Sequence, residues 1–291
     1  MPKGEVYVKT SYGAVTAGEQ FTFDGRETEF VDGLEGDTFR DRSLYVYTEV
    51  GLTNQLTLTA TLPYKRTFIE DQAFDYRTFA FGTAALGLRV GLLPLLGLEG
   101  GANALAANVG VNLPTGYTRN FTPSVGSGQT DVQLTLNYGR SFWPLPAYAQ
   151  VGGGYRLRTN HFGFSQATAC QPGQDIDCIE DAQPDFDNEL LYAFEVGLTP
   201  LEGGVLLQLK GNGQASVNEP TVGFTARNPI PTSQRFFKLG GGLALYPFRL
   251  AGVNNLAALG LSVEYYRTID GRNTLNSRDL FVGIEYRMKV F

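Results

Sequence analysis

Residues 43–63, SLYVYTEVGLTNQLTLTATLP, alternate apolar with polar side chains, break briefly, and alternate again. Leu44, Val46 and Val50 fall on one phase, with Tyr45, Tyr47 and Glu49 on the other. Leu56, Leu58, Ala60 and Leu62 then alternate with Gln55, Thr57, Thr59 and Thr61. Period two belongs to a β-strand, whose successive side chains point to opposite faces of a sheet. The Gly51-Leu52-Thr53-Asn54 break is short enough to join two such strands as a hairpin. A hairpin with one apolar and one polar face has two destinations. Its apolar face lines the core of a sandwich or soluble barrel, or it meets lipid while the polar face lines a pore.

The alternation recurs along the whole chain. It gives an all-β protein of about twelve strands, near 5–12, 43–51, 55–65, 83–93, 102–114, 129–142, 147–158, 188–199, 205–216, 234–246, 256–268 and 279–291. Charge within these strands keeps to the polar phase: Lys9, Glu49, Arg89, Asp131, Arg156, Glu195, Lys210, Lys238, Glu264, Glu285 and Arg287 all do so. An Arg or Lys facing lipid at the bilayer midplane costs about 2–4 kcal/mol, and that penalty produces such an exclusion. Connection lengths also alternate. Those at 52–54, 94–101, 143–146, 200–204 and 247–255 are short, while those at 13–42, 66–82, 115–128, 159–187, 217–233 and 269–278 are mostly longer and polar. Short turns at one rim and long loops at the other are the asymmetry of an outer-membrane barrel.

The expectation is therefore a single transmembrane, antiparallel up-and-down β-barrel over 1–291. The long loops are extracellular, and an even strand number leaves both termini at the periplasmic rim. The charged residues above line the lumen with Tyr47 and Gln133. Tyr12, Tyr64, Tyr117, Phe142, Trp143, Tyr246 and Phe248 lie near strand ends and are expected at the membrane interfaces. In the 13–42 loop, Phe21, Phe23 and Phe30 need burial, and the lumen is the nearest place for it, so this loop is expected to cover part of the mouth.

Composition agrees and excludes other classes. The 291 residues include 36 Gly, 20 Phe and 15 Tyr, an all-β bias. A net charge of -6 gives no pointer to nucleic acid. One His and two Cys leave little for a His/Cys metal site, and no cofactor is expected. The most apolar window, GLLPLLGL at 91–98, is short and broken by Pro94, so no transmembrane helix is expected. Met1-Pro2-Lys3 leads directly into a strand-like run without a signal segment, as in a mature or recombinant form.

In the 159–187 loop, Cys170 and Cys178 are expected to form a disulfide, as in an exported protein. Asp175, Asp177, Glu180, Asp181, Asp185 and Asp187 share that loop. They lack the ligand order and glycine of a known calcium loop and read as a solvated acidic surface. The runs Gly152–Gly154 and Gly240–Gly242 fall mid-strand, where glycine permits bending and leaves lumen space free.

The stretches YTEVGLTNQLTLTATLPYKR (47–66) and NLPTGYTRNFTPSVGSGQTDVQLTLNYGRSF (112–142) resemble the hairpins of a bacterial outer-membrane family, the phenol-degradation meta-pathway or transporter family. The resemblance implies a channel-like outer-membrane barrel and no particular solute. Outer-membrane chains commonly end in Phe with apolar residues two and four places earlier. Here Phe291 is preceded on its phase by Lys289 and Arg287. The leading reading is a monomeric, non-enzymatic, porin-like barrel in the bacterial outer membrane that passes small solutes passively. The alternatives are a structural or partner-binding barrel with a plugged lumen, and an interfacial phospholipase. The last would draw on Asn160, His161 and Ser165, although adjacent Asn and His on a strand point to opposite faces.

Overall fold

In a computed structural model, each strand pairs antiparallel with its neighbour and the last returns to the first. The structure describes residues 1–72, 75–98, 100–119, 124–165, 185–219 and 232–290. The barrel strands are β1 (Glu5–Ala17), β2 (Phe39–Gly51), β3 (Leu56–Glu70), β4 (Asp75–Phe81 and Ala84–Gly91), β5 (Asn103–Leu113) and β6 (Asp131–Ser141). They continue as β7 (Ala147–Arg158), β8 (Glu189–Leu198), β9 (Val205–Ser216), β10 (Arg235–Leu245), β11 (Leu259–Arg272) and β12 (Arg278–Lys289). β12 closes on β1 in an unbroken register from Glu5↔Lys289 to Thr16↔Arg278. The result is a closed twelve-stranded antiparallel barrel. β4 is interrupted at Gly82–Thr83: its second segment pairs with β3 and β5, its first with β3 alone.

The two faces of the wall settle which destination the opening hairpin has. On β6, Leu134 and Leu136 are 55% and 53% exposed, whereas Asp131 on the other phase is 3% exposed. On β2 and β3, Leu44, Val46, Leu58 and Leu62 are exposed while Asp41, Ser43, Thr57 and Thr67 are buried. Apolar side chains lie outside and polar ones inside, the reverse of a soluble fold and the pattern of a transmembrane barrel. No described helix is long and apolar enough to cross a membrane.

The strands are longer than their hydrophobic signal at one rim. Residues 13–17 and 39–42 extend β1 and β2, and 66–70 and 75–81 form a paired extension of β3 and β4 rather than a loop. β11 likewise runs on to Arg272. Beyond the hydrocarbon layer the penalty on outward charge vanishes. Backbone pairing then continues while Arg40, Arg42, Arg66 and Arg77 interrupt the apolar phase that sequence reading follows.

The 13–42 segment contributes two short strands, Glu19–Phe21 and Glu27–Glu29, which pair with each other, and the first pairs also with Thr274–Leu275. The Phe21 ring is buried over Gly271, and Phe30 meets Phe39 edge-to-face at 6.1 Å. Gly271 is the register partner of Phe236, whose ring lines the interior, so Phe21 packs on the inner side of the wall at the long-loop rim; Phe23 stays exposed.

Tyr12, Tyr64, Phe142 and Trp143 project outward as an interfacial girdle would. Tyr117 does not. Its hydroxyl accepts the Gly128 N–H at 2.9 Å and lies 3.0 Å from the Thr83 hydroxyl, inside the 114–130 connection, where burial pushes the phenol pKa up. Tyr246 also turns inward, donating to Glu285, and Phe248 sits in the turn helix Pro247–Leu250.

If the exposed phase faces lipid, Leu134→Arg should destabilise the barrel by about 2–4 kcal/mol in urea unfolding from vesicles. An unchanged unfolding midpoint would contradict the assignment of that face.

Candidate functional site in the barrel interior

The interior is built by one parity of every strand, so residues far apart in sequence meet there. Three groups girdle the wall. In the first, Glu49 of β2 receives both Arg89 of β4, at 3.1 Å, and the Tyr47 hydroxyl. Arg89 continues to Asn108 at 3.0 Å, and Asn108 to Thr135 of β6 at 3.1 Å. In the second, Glu264 of β11 sits between Lys9 of β1 at 2.5 Å and Lys210 of β9 at 3.1 Å. Lys210 also lies 3.8 Å from Glu195 of β8, which accepts from Gln208 and from the Tyr148 hydroxyl. Tyr266 adds a 2.7 Å bond to Glu264. Each group zigzags across several strands because neighbouring inward side chains on a pleated wall face one another.

The third group lies toward the long-loop rim. Glu189 bridges Arg156 and Arg158, each at 2.7 Å, and takes Gln214 at 2.8 Å. Asp131 stands 3.8 Å from Arg158. Nearby, Lys238 pairs with Asp279 at 2.5 Å and Lys65 with Asp41 at 2.9 Å. Toward the short-turn rim, Glu285 accepts the Tyr7 hydroxyl at 2.8 Å as well as Tyr246. Isolated charge in a confined lumen is costly, and these pairings offset the cost.

Several of the residues expected inside come together in these groups. Tyr47, Glu49 and Arg89 form one cluster, Lys9, Glu195, Lys210 and Glu264 another. Asp131 and Arg156 share the third with two residues not singled out from sequence, Arg158 and Glu189. Gln133 is half-buried beside Gly110, and Arg287 is exposed opposite Tyr7 at the rim. Lys65, Asp41, Asp279, Tyr148 and Tyr266 were also missed. All share the parity of a named neighbour: Asp41 precedes Tyr45 by four positions, Arg158 follows Arg156 by two.

Space remains between the groups. A cavity of about 610 Å³ is lined by Arg89, Asn108, Asn137, Gln150, Lys210 and Tyr266, among others. A second, of about 390 Å³, shares Asn212 and Tyr266 with it and adds the rings of Tyr45, Phe236 and Phe281. The mid-strand glycines shape this space. A Cβ on Gly152 would fall 2.2 Å from the Asn137 side-chain oxygen, and one on Gly240 would strike the Tyr266 ring. Glycine here lets inward side chains of the next strand lie flat on the wall.

Of the remaining candidates, His161 is exposed. The Ser165 hydroxyl is buried against the carbonyls of Gly128, at 3.0 Å, and Phe162, at 2.7 Å. Asp187 holds Ser233 and Asn218. Cys170, Cys178, Asp175, Asp177, Glu180, Asp181 and Phe291 lie outside the described residues. Among the described residues, no His/Cys/Asp/Glu group could hold a metal ion.

This architecture is similar to that of the COG4313 outer membrane channel from Pseudomonas putida F1. The likeness covers 99% of this chain and 97% of that one, with a TM-score of 0.70 at 15% identity. The shared fold is an outer-membrane barrel. The translocator domain of the autotransporter NalP from Neisseria meningitidis matches 98% of this chain with 88% of its own, at a TM-score of 0.49 and 14% identity. The KdgM porin matches 96% with 98% of its own, at 0.47 and 6%. No family model and no curated protein matches the sequence.

Removing the buried bridge should be felt more than removing a surface pair. Glu189→Gln leaves two buried guanidiniums without their shared carboxylate and should cost about 3 kcal/mol. Asp75→Asn, which breaks an exposed 3.6 Å pair with Arg77, should cost under about 1 kcal/mol. Urea titration of the folded barrels checks the order, and equal effects would contradict it.

Proposed function

We propose that this chain is a monomeric channel of the bacterial outer membrane through which small solutes pass passively. The observation that carries the reading is the combination of a lipid-type outer wall with an inward phase of self-paired charges that leaves open chambers between them. Because the charges satisfy one another, a solute crossing the lumen need not dehydrate an isolated ion. Even strand number and short turns at the terminal rim support periplasmic termini and extracellular long loops. The likeness of 47–66 and 112–142 to the phenol-degradation meta-pathway family supports barrel construction of this type. Ser165, whose hydroxyl donates to the carbonyls of Gly128 and Phe162, supports a channel over a hydrolase.

Arg89 is the inward residue best placed to act on a passing ion. Its side chain is 37% exposed, against 20% for Lys9 and 18% for Lys210, and it lines the larger chamber. Neutralising it leaves the Glu49 carboxylate facing that space. In planar bilayers the wild-type chain should conduct. Arg89→Gln should shift the reversal potential toward cations, raising the cation-to-anion permeability ratio about twofold or more. Leu88→Ala, on the outer phase, should leave conductance unchanged. A barrel that inserts and passes neither ions nor small sugars would overturn the channel reading.

A further inference from the structure

Inside the barrel, cations answer carboxylates. On the outer wall of β1–β4 two of four arginines do not, and the pairing register shows how they are arranged. Tyr12, Leu44, Tyr64 and Phe81 form one cross-strand row on the outward face. The next row toward the long-loop rim is Ala14, Arg42, Arg66 and Phe79, and the one beyond it Thr16, Arg40, Phe68 and Arg77. Arg42 and Arg66 are therefore direct cross-strand neighbours, a like-charge placement that by itself destabilises a sheet.

Arg40 has Glu70 beside it and Arg77 has Asp75. No carboxylate of the described residues lies within 4.0 Å of Arg42 or Arg66. Arg42 makes only long contacts to the carbonyls of Val15, at 3.4 Å, and Asp41, at 3.3 Å. Arg66 is held flat instead, its guanidinium 4.6 Å from the Phe68 ring centre and 4.9 Å from that of Phe79. Stacking fixes the plane of the group and takes up none of its N–H donors.

Directly below, toward the membrane, Leu62, Tyr64, Phe79 and Phe81 line an apolar groove of about 540 Å³ in the outer wall. Phe79 and Phe81 are each about half exposed, and Tyr64 and Phe81 meet edge-to-face at 5.3 Å. A ligand that satisfies both features carries an anion at the level of the arginines and hydrocarbon at the level of the groove. Two adjacent guanidiniums match a phosphate monoester, which carries about -1.5 to -2 charge at neutral pH, better than a singly charged phosphodiester.

We propose that Arg42 and Arg66, with the groove beneath them, bind a phosphorylated glycolipid of the bilayer, the sugar phosphate on the guanidiniums and an acyl chain along Tyr64 and Phe81. The assignment rests on the membrane-barrel reading above and is independent of conduction, since every residue in it faces outward.

Native mass spectrometry of the detergent-solubilised protein tests it. The probes are a bis-phosphorylated, acylated disaccharide (lipid A), the same lipid stripped of phosphate, and phosphatidylglycerol. The wild-type chain should retain lipid A at least about tenfold more tightly than either comparator, the effect expected of charge-assisted hydrogen bonds. Arg42→Gln/Arg66→Gln should lose that preference, while Arg140→Gln, on the outward phase near the short-turn rim, should keep it. Heat-modifiable gel migration checks folding, and should the double variant fail it, Arg66→Gln alone carries the comparison. Equal retention of stripped lipid, equal retention by the variant, or displacement by an equal concentration of inorganic phosphate would overturn the site. Loss of discrimination in a conducting barrel defeats this proposal alone. Discrimination by a barrel that conducts nothing defeats the channel reading and leaves the site standing.

Discussion

Backbone N–H and C=O groups have no water to bond in hydrocarbon, and the rest of this molecule follows from how that demand is met. A strand satisfies it only through neighbours on both sides, so a sheet that crosses a membrane has to close. Here closure is the β1–β12 register, which joins the first and last strands of the chain along their length. Once the wall is closed, the pleat dictates everything about its surfaces. One parity faces lipid and is apolar; the other faces a confined interior and has to hold whatever polarity the sequence carries.

That confinement explains why most of the interior charge is paired. Glu264 between two lysines, Glu189 between two arginines and Glu49 between Arg89 and Tyr47 are the same solution reached three times: one carboxylate serving two donors. Each such bridge fixes the relative position of strands that backbone pairing alone would leave free to breathe. The bridges run around the wall, and the chambers between them are bounded by amides, Tyr266 and the accessible side of Arg89. The same side chains that stabilise the wall thus define the lumen's bore and its local field.

Most of the fold was legible because the bilayer writes directly into sequence. Period two with charge on one parity marks the strands through the apolar band and puts residues such as Arg89, Glu195 and Glu264 on a single phase. Legibility ended where the bilayer does. Arg42 and Arg66 lie on the outward parity above the apolar band, so the sequence signal begins β2 late, at 43, and ends β3 early, at 65. Asp41 and Asp279 escaped notice as inward groups for the same reason, at strand ends where charge carries no information about phase. Partners within the lumen were not legible at all. Which carboxylate meets Lys9 depends on strand tilt and on contacts between β1 and β11, a relation that no spacing along the chain encodes.

The central claim is that strand parity separates lipid from lumen. Spin labels placed singly along 132–138 of β6, on a background lacking Cys170 and Cys178, test it in reconstituted bilayers. Accessibility to dissolved oxygen, which concentrates in lipid, and to a water-soluble nickel chelate should then oscillate out of phase. Positions 132, 134, 136 and 138 should favour oxygen, and 133, 135 and 137 the chelate. In-phase oscillation, or chelate access at Leu134 and Leu136 equal to that at Thr135, would contradict the account.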